Sequence, residues 1–163
     1  MPSHEPRPYE TIAHRVTAAI EPGASRDRRM HVAVDALWDG LRDRGVSWVG
    51  FYLKSPDADE LLLGPHRDKP ACSPIGLHGA CGRCWRERQP LVVPDVRDLG
   101  ENYVACDPRD RSEIVLPCLD PDGSPWAVLD LDSFDLAAFD HTDVTGLQSV
   151  LNVAFDERRS AGK

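Results

Sequence analysis

The period of the apolar positions changes along the chain, and each change marks an element. Between Ser25 and Arg42, residues Met30, Ala33, Val34, Leu37, Trp38 and Leu41 recur at i, i+3, i+4, i+7, i+8 and i+11, which is one helical face. Gly45 follows as a stop signal, and an earlier helix is expected over 9–20. The segment VSWVGFYL (46–53) is instead β-branched and aromatic and reads as a strand. SPDADE is a turn and LLLGP (61–65) the returning strand of an antiparallel hairpin. Residues 71–76 are a further candidate strand, GACGRCWRERQ (79–89) a short helix and LVVPDV (91–96) a short strand. Residues 97–111 are charged and aperiodic, the pattern of a long loop. EIVLPCL (113–119), a PDGS turn (121–124) and WAVLDLDS (126–133) form a second hairpin. Asp140, with Asp143 three residues on, marks the N-cap of a final helix running to about Arg158.

Strands joined to their neighbours by short turns, with helices before and after, imply an α+β domain with a central antiparallel sheet and helices packed against it. A length of 163 residues suits one domain, expected over 9–158 between a polar N-terminal tail (1–8) and a C-terminal tail (159–163). The net charge of −8 and the absence of a basic run argue against nucleic acid. No stretch is long and apolar enough to span a membrane. The polar, proline-rich start lacks a signal peptide's apolar core, so a cytoplasmic protein is expected.

That compartment makes the five cysteines informative: Cys72, Cys81, Cys84, Cys106 and Cys118. An odd set in a reducing environment is a poor structural disulfide framework. Metal binding, thiol chemistry and packing remain as readings. Zinc is disfavoured, because Cys81–Cys84 is one CxxC pair without a second knuckle. A thioredoxin-like motif would require a βαβ unit, against which the hairpins argue. A reactive thiol fits Cys106, which lies in the charged loop beside Asp107, Arg109 and Arg111. Cys118, inside a strand pattern, fits packing better.

The acids form a second constellation. Asp130 and Asp132, two apart on a strand, point to one face, and Glu113 begins the partner strand at the same end. Such a face is either solvated or a pocket for a cationic ligand, or a proton donor to a thiol. Trp48, at the first strand's start, fits a core position on general grounds.

At these residues the sequence resembles the free methionine-(R)-sulfoxide reductases, stand-alone GAF-type domains. The shared motifs run in order from Trp48 to Phe139: WVGFYL (48–53), LLLGPHRDKPAC (61–72), HGACG (78–82), VPDV (93–96), ACD (105–107), SEIVLP (112–117) and VLDLDS (128–133). The resemblance implies a GAF-like fold and three redox cysteines. Cys106 would be the nucleophile, Cys72 the principal resolving thiol and Cys81 a second one. It assigns Glu113, Asp130, Asp132 and Trp48 to the substrate pocket, and leaves Cys84 and Cys118 without a counterpart. The chain departs from the family pattern at Asn102-Tyr103 and across His78–Trp85.

The implied activity is reduction of free methionine-(R)-sulfoxide through a Cys106 sulfenic acid and an intramolecular disulfide, recycled by thioredoxin or a similar dithiol. It needs no metal and no bound cofactor. Family members often form dimers, so the resemblance also admits a homodimer. The alternative is a GAF module that binds a small molecule or senses redox state without turnover.

Overall fold

The computed structural model describes residues 5–102 and 106–156. In chain order the elements are α1 (Tyr9–Ala19), α2 (Arg26–Leu41), β1 (Trp48–Lys54), β2 (Glu60–Arg67), β3 (Ile75–Gly76), α3 (Ala80–Glu87), β4 (Leu91–Val93), a 3₁₀ segment (Val96–Asn102), β5 (Ser112–Leu119), β6 (Pro125–Ser133) and α4 (His141–Ala154). Among the described residues one antiparallel sheet runs β3-β2-β1-β6-β5-β4.

Both expected hairpins are present, and β6 of one pairs with β1 of the other. The candidate strand at 71–76 shrinks to Ile75–Gly76, and that at 91–96 to Leu91–Val93. The charged segment after it is not loop from its start. It opens with 3₁₀ turns, broken at Gly100, whose φ of 56° suits a residue without a Cβ. The final helix ends at Ala154, and its expected continuation to Arg158 and the C-terminal tail lie outside the described residues.

Strand alternation divides the sheet into two unlike faces. Val49, Phe51, Ile114, Leu116, Leu129 and Leu131 are fully buried on one face, against α1, α2 and α4. Each large side chain buried there contributes about 1.5–3 kcal/mol. The same alternation sends Trp48, Tyr52, Glu113, Val115, Val128 and Asp130 to the opposite face, which α3 and the connecting loops cover.

Polar side chains lock the helical layer. Arg29, buried within α2, donates to the carbonyls of Ala24 (3.1 Å) and Ala154 (2.9 Å), so its charge sits at the carbonyl end of α4. Arg7 lies in the segment expected as a polar tail, of which residues 1–4 are outside the described residues. It is nevertheless anchored, donating to Asp143 Oδ1 at 2.8 Å, to Ala138 O at 2.8 Å and to Arg44 O at 3.0 Å. Asp143 also accepts the Tyr9 hydroxyl (2.6 Å) and the Asp140 amide (2.9 Å), closing the expected capping box of α4.

Asp143 therefore serves three donors in a buried setting, whereas Asp140 is an exposed cap. Asp143→Ala strands the Arg7 guanidinium and is expected to cost about 3–5 kcal/mol. Asp140→Ala is expected to cost about 1 kcal/mol. Urea unfolding of the two variants measures the difference, and equal losses would contradict this account.

Candidate active site

The second sheet face holds a cluster of acids. Cross-strand register puts Asp132 opposite Glu113 on one side and opposite Trp48 on the other, with Asp130 between Val115 and Gly50. Directly opposed side chains lie about 4.5–5.5 Å apart at Cβ. Glu113 and Asp130 are only 8% and 6% exposed, and Asp132 is half-buried. They face a small cavity, partly open to solvent, whose wall also includes Trp48, Cys81 and Cys106.

Two aromatic side chains of β1 stand beside the acids on the same sheet face. Trp48 Nε1 donates to Lys69 O (2.9 Å) and the Tyr52 hydroxyl to Cys72 O (2.9 Å). Both bonds pin the β2–β3 loop, which carries Cys72, over the acid face. Gly50 sits between them, and a Cβ there would collide with the Trp48 six-membered ring and with His66, so the indole lies where a side chain at 50 would be. Gly82 plays a similar part in α3. A Cβ there would meet the Leu77 backbone, so its absence lets α3 seat closely with Cys81 against the cavity.

Cys72 and Cys106 are joined by a disulfide across 34 residues, with Cα atoms 5.5 Å apart. Cys106 is exposed at the cavity mouth, and Cys81, Cys84 and Cys118 are free and buried. Cys118 packs in the helical core, and Cys84 packs under α3 on the pocket side.

Burial dominates the electrostatics. Desolvation raises the carboxyls of Glu113, Asp130 and Asp132 above the usual range, and mutual repulsion pushes the two aspartates well up. Glu113 and Asp130 bring carboxylate oxygens within 4.8 Å of each other, and two carboxyls hydrogen-bond only if one keeps its proton. Asp130 Oδ1 is buried and has no hydrogen-bond partner among the described residues. Asp110, also on the cavity wall, is raised to about 6 by burial and by Asp107 and Glu113. Cys81 is the second residue of α3, where the helix dipole favours a thiolate by about 0.3–1 kcal/mol. Desolvation and the three acids outweigh this and hold its thiol well above the usual range. Cys81, Glu113 and Asp130 each offer a ligand atom within 4.8 Å of the others and could hold a metal ion. A proton kept by this carboxyl pair would relieve the same repulsion that such an ion would offset.

All seven side chains singled out in the sequence line this one region: Trp48, Cys81, Cys106, Glu113, Asp130 and Asp132 on the cavity wall, and Cys72 through its disulfide. The departure at His78–Trp85 forms the approach to α3 and most of that helix. Asn102 ends the 3₁₀ segment, and Tyr103 lies outside the described residues. Tyr52 and Asp110 are wall residues that the sequence reading missed. Tyr52 carried a usable signal, since it alternates with Trp48 and Gly50 on β1; Asp110 is one acid among several in the charged segment.

The GAF domain family matches residues 10–154 of this chain. The free methionine-R-sulfoxide reductase of Saccharomyces cerevisiae is 34% identical over 122 residues, covering 72% of this chain and 67% of that protein. A solved structure of free methionine-R-sulfoxide reductase from Neisseria meningitidis, in complex with its substrate, superposes with a TM-score of 0.81 at 33% identity, covering 93% of this chain and 87% of that one. The reduced form of fRMsr of Staphylococcus aureus superposes at 0.84 with 31% identity, covering 99% and 100% of the two chains.

The raised acids link stability to pH. A carboxyl with a folded pKa above its unfolded value stabilises the fold below about pH 4, and that contribution is lost as pH rises through the folded pKa. The unliganded protein should therefore lose stability from about pH 4 through about 6, where Asp110 ionises, and further as the deeper acids follow. Asp130→Asn keeps a donor for Glu113 and removes one charge, so it should unfold later than wild type at pH 8 by at least about 1 kcal/mol. Thermal melts across pH check this; a wild-type Tm that climbs from pH 4 to 8 would contradict it.

Proposed function

The chain belongs to the free methionine-R-sulfoxide reductases, a family of GAF-domain proteins, and from that membership we propose that it reduces free L-methionine-(R)-sulfoxide, with Cys106 as nucleophile. The observation that carries this is the placement of Cys106 on the wall of a cavity lined by buried carboxyls, with Cys72 bonded to it.

The substrate's α-ammonium enters the acid cluster, where Asp130 Oδ1 lacks a partner among the described residues. Losing protons from the acids as the ammonium arrives replaces repulsion by attraction in a desolvated site. The Trp48 face packs against the S-methyl end. This orients the sulfoxide sulfur toward Cys106. The Cys106 thiolate attacks that sulfur, and a neighbouring carboxylic acid protonates the sulfoxide oxygen. Burial raises Glu113, and burial with mutual repulsion raises Asp130 and Asp132 well above the usual range, which favours proton donation from this cluster. The oxygen passes to Cys106 as a sulfenic acid, and methionine leaves with the electron pair.

The Cys72 thiol then attacks the Cys106 sulfur. The S–O bond breaks, water leaves and the disulfide forms. The bonded Cys72–Cys106 pair supports this step as the state reached after turnover. Thioredoxin or an equivalent dithiol restores both thiols by exchange, aided by the exposure of Cys106. Cys81 is protonated and buried in this state, so it serves as a slower second resolving thiol. No metal and no bound cofactor takes part. A peptide-bound methionine sulfoxide lacks the ammonium, so the acid cluster selects the free amino acid.

Incubation of the protein with free methionine-R-sulfoxide, thioredoxin, thioredoxin reductase and NADPH should oxidise NADPH. Cys106→Ser should abolish this by at least about 10³-fold, as loss of a nucleophile does. Cys72→Ser should still release one methionine per protein in the first turnover but recycle poorly. A folded, reduced wild type that binds the sulfoxide without consuming NADPH would instead indicate a ligand-binding module.

A further inference from the structure

Cys72 and Cys106 lie on separate loops, and one carboxylate joins them. Asp107, next to Cys106, accepts from Lys69 Nζ at 2.8 Å, and Lys69 lies three residues before Cys72. The same carboxylate accepts from Arg109 through its amide (3.0 Å), Nε (3.1 Å) and Nη2 (2.9 Å). These bonds hold the Asp107 carboxyl well below the usual range, so it remains charged at any physiological pH. Both cations rest on one ring: Lys69 Nζ and Arg109 Cζ are 5.2 Å and 4.6 Å from the centroid of Phe134, which follows β6. Lys69 also has a fixed base, because its carbonyl accepts the Trp48 indole.

The Lys69–Asp107–Arg109 clasp is therefore footed on β1 and beside β6. It ties the nucleophile's segment to the resolving thiol's loop without using either sulfur. We propose that Asp107 is a positioning residue for disulfide closure: the clasp holds the Cys106 sulfenic acid against Cys72, so that the second thiol attacks before the sulfenic acid meets other nucleophiles or oxidants. This rests on the catalytic reading above. The step is balanced: Cys72–SH and Cys106–SOH give the disulfide and water, with no further oxidant.

The physical need is entropic. Closing a flexible loop of this length is slow to reward its ends, and a prior contact between them raises the effective concentration of one thiol at the other. Exposed ion pairs are individually weak, but a carboxylate fixed by two cations over one ring is a small network. Its loss should slow closure roughly five- to tenfold, the equivalent of a contact of about one decade.

The reduced protein, oxidised by one equivalent of hydrogen peroxide to the Cys106 sulfenic acid, isolates this step from the sulfoxide chemistry. Quenched samples read closure as loss of free thiols and the waiting sulfenic acid as its dimedone adduct by intact mass. Asp107→Asn and Lys69→Met should each slow closure about five- to tenfold and lengthen the life of the dimedone-reactive form, and the double variant should be little slower than either. High salt should slow the wild type and not the variants. First-turnover methionine formation, measured separately with the sulfoxide, should change less than closure does. Wild-type closure rates in both variants would overturn the proposal. So would equal slowing of methionine formation and closure, which marks a general structural role. Failure of the wild type to form methionine would count against the catalytic reading alone, because the peroxide measurement does not depend on it.

Discussion

The structure turns on burying carboxyls on one face of a β-hairpin, in a cavity where acids outnumber any charge that could offset them. Among the described residues, the cavity wall carries Asp110, Glu113, Asp130 and Asp132 and neither lysine nor arginine. Charges so placed would repel one another in a poor dielectric, and burial accordingly raises these carboxyls and favours their protonated forms. The result is an acid pocket whose carboxyls resist ionisation, and in the proposed function an arriving ammonium displaces their protons. In the proposed function that one feature supplies both a binding preference and proton donors for sulfoxide reduction.

The rest of the fold maintains that arrangement. Strand alternation gives β5 and β6 one wholly apolar face, and burying it against α1, α2 and α4 fixes the register that aligns Glu113, Asp132 and Trp48. The pocket face has no helical layer of comparable size. It is closed by α3 and by loops whose positions depend on side-chain bonds: Trp48 to Lys69, Tyr52 to Cys72, Lys69 to Asp107. Cys72 and Cys106 ride on those loops, which suits the partner exchange that the proposed cycle asks of them. The rigid sheet holds the acids, and the loops carry the sulfurs.

The hairpins, the helical face of α2 and the capping box of α4 were all legible as period and turn chemistry. So was the common face of Asp130 and Asp132, because a spacing of two on a strand permits nothing else. Whether that face was wet or covered was not legible, since alternation reports direction and not what lies above. The short β3 has a related cause. Side chains of β1 hold the 68–74 loop in place of a ladder, and no local pattern at 71–76 encodes that. The Cys72–Cys106 pairing followed from family resemblance, because a separation of 34 residues carries no geometric information until the two loops are folded. Asp107 read as an ambiguous neighbour of a thiol, and only the fold shows Lys69 as its partner.

The account is tested most directly by calorimetry of the Cys106→Ser protein with free methionine-R-sulfoxide, run at neutral pH in buffers of different ionisation enthalpy. An acid cluster that gives up protons to receive an ammonium predicts net proton release on binding, and no measurable binding of the N-acetylated sulfoxide. Equal affinity for the N-acetylated compound, or binding of the free amino acid without proton exchange, would contradict it.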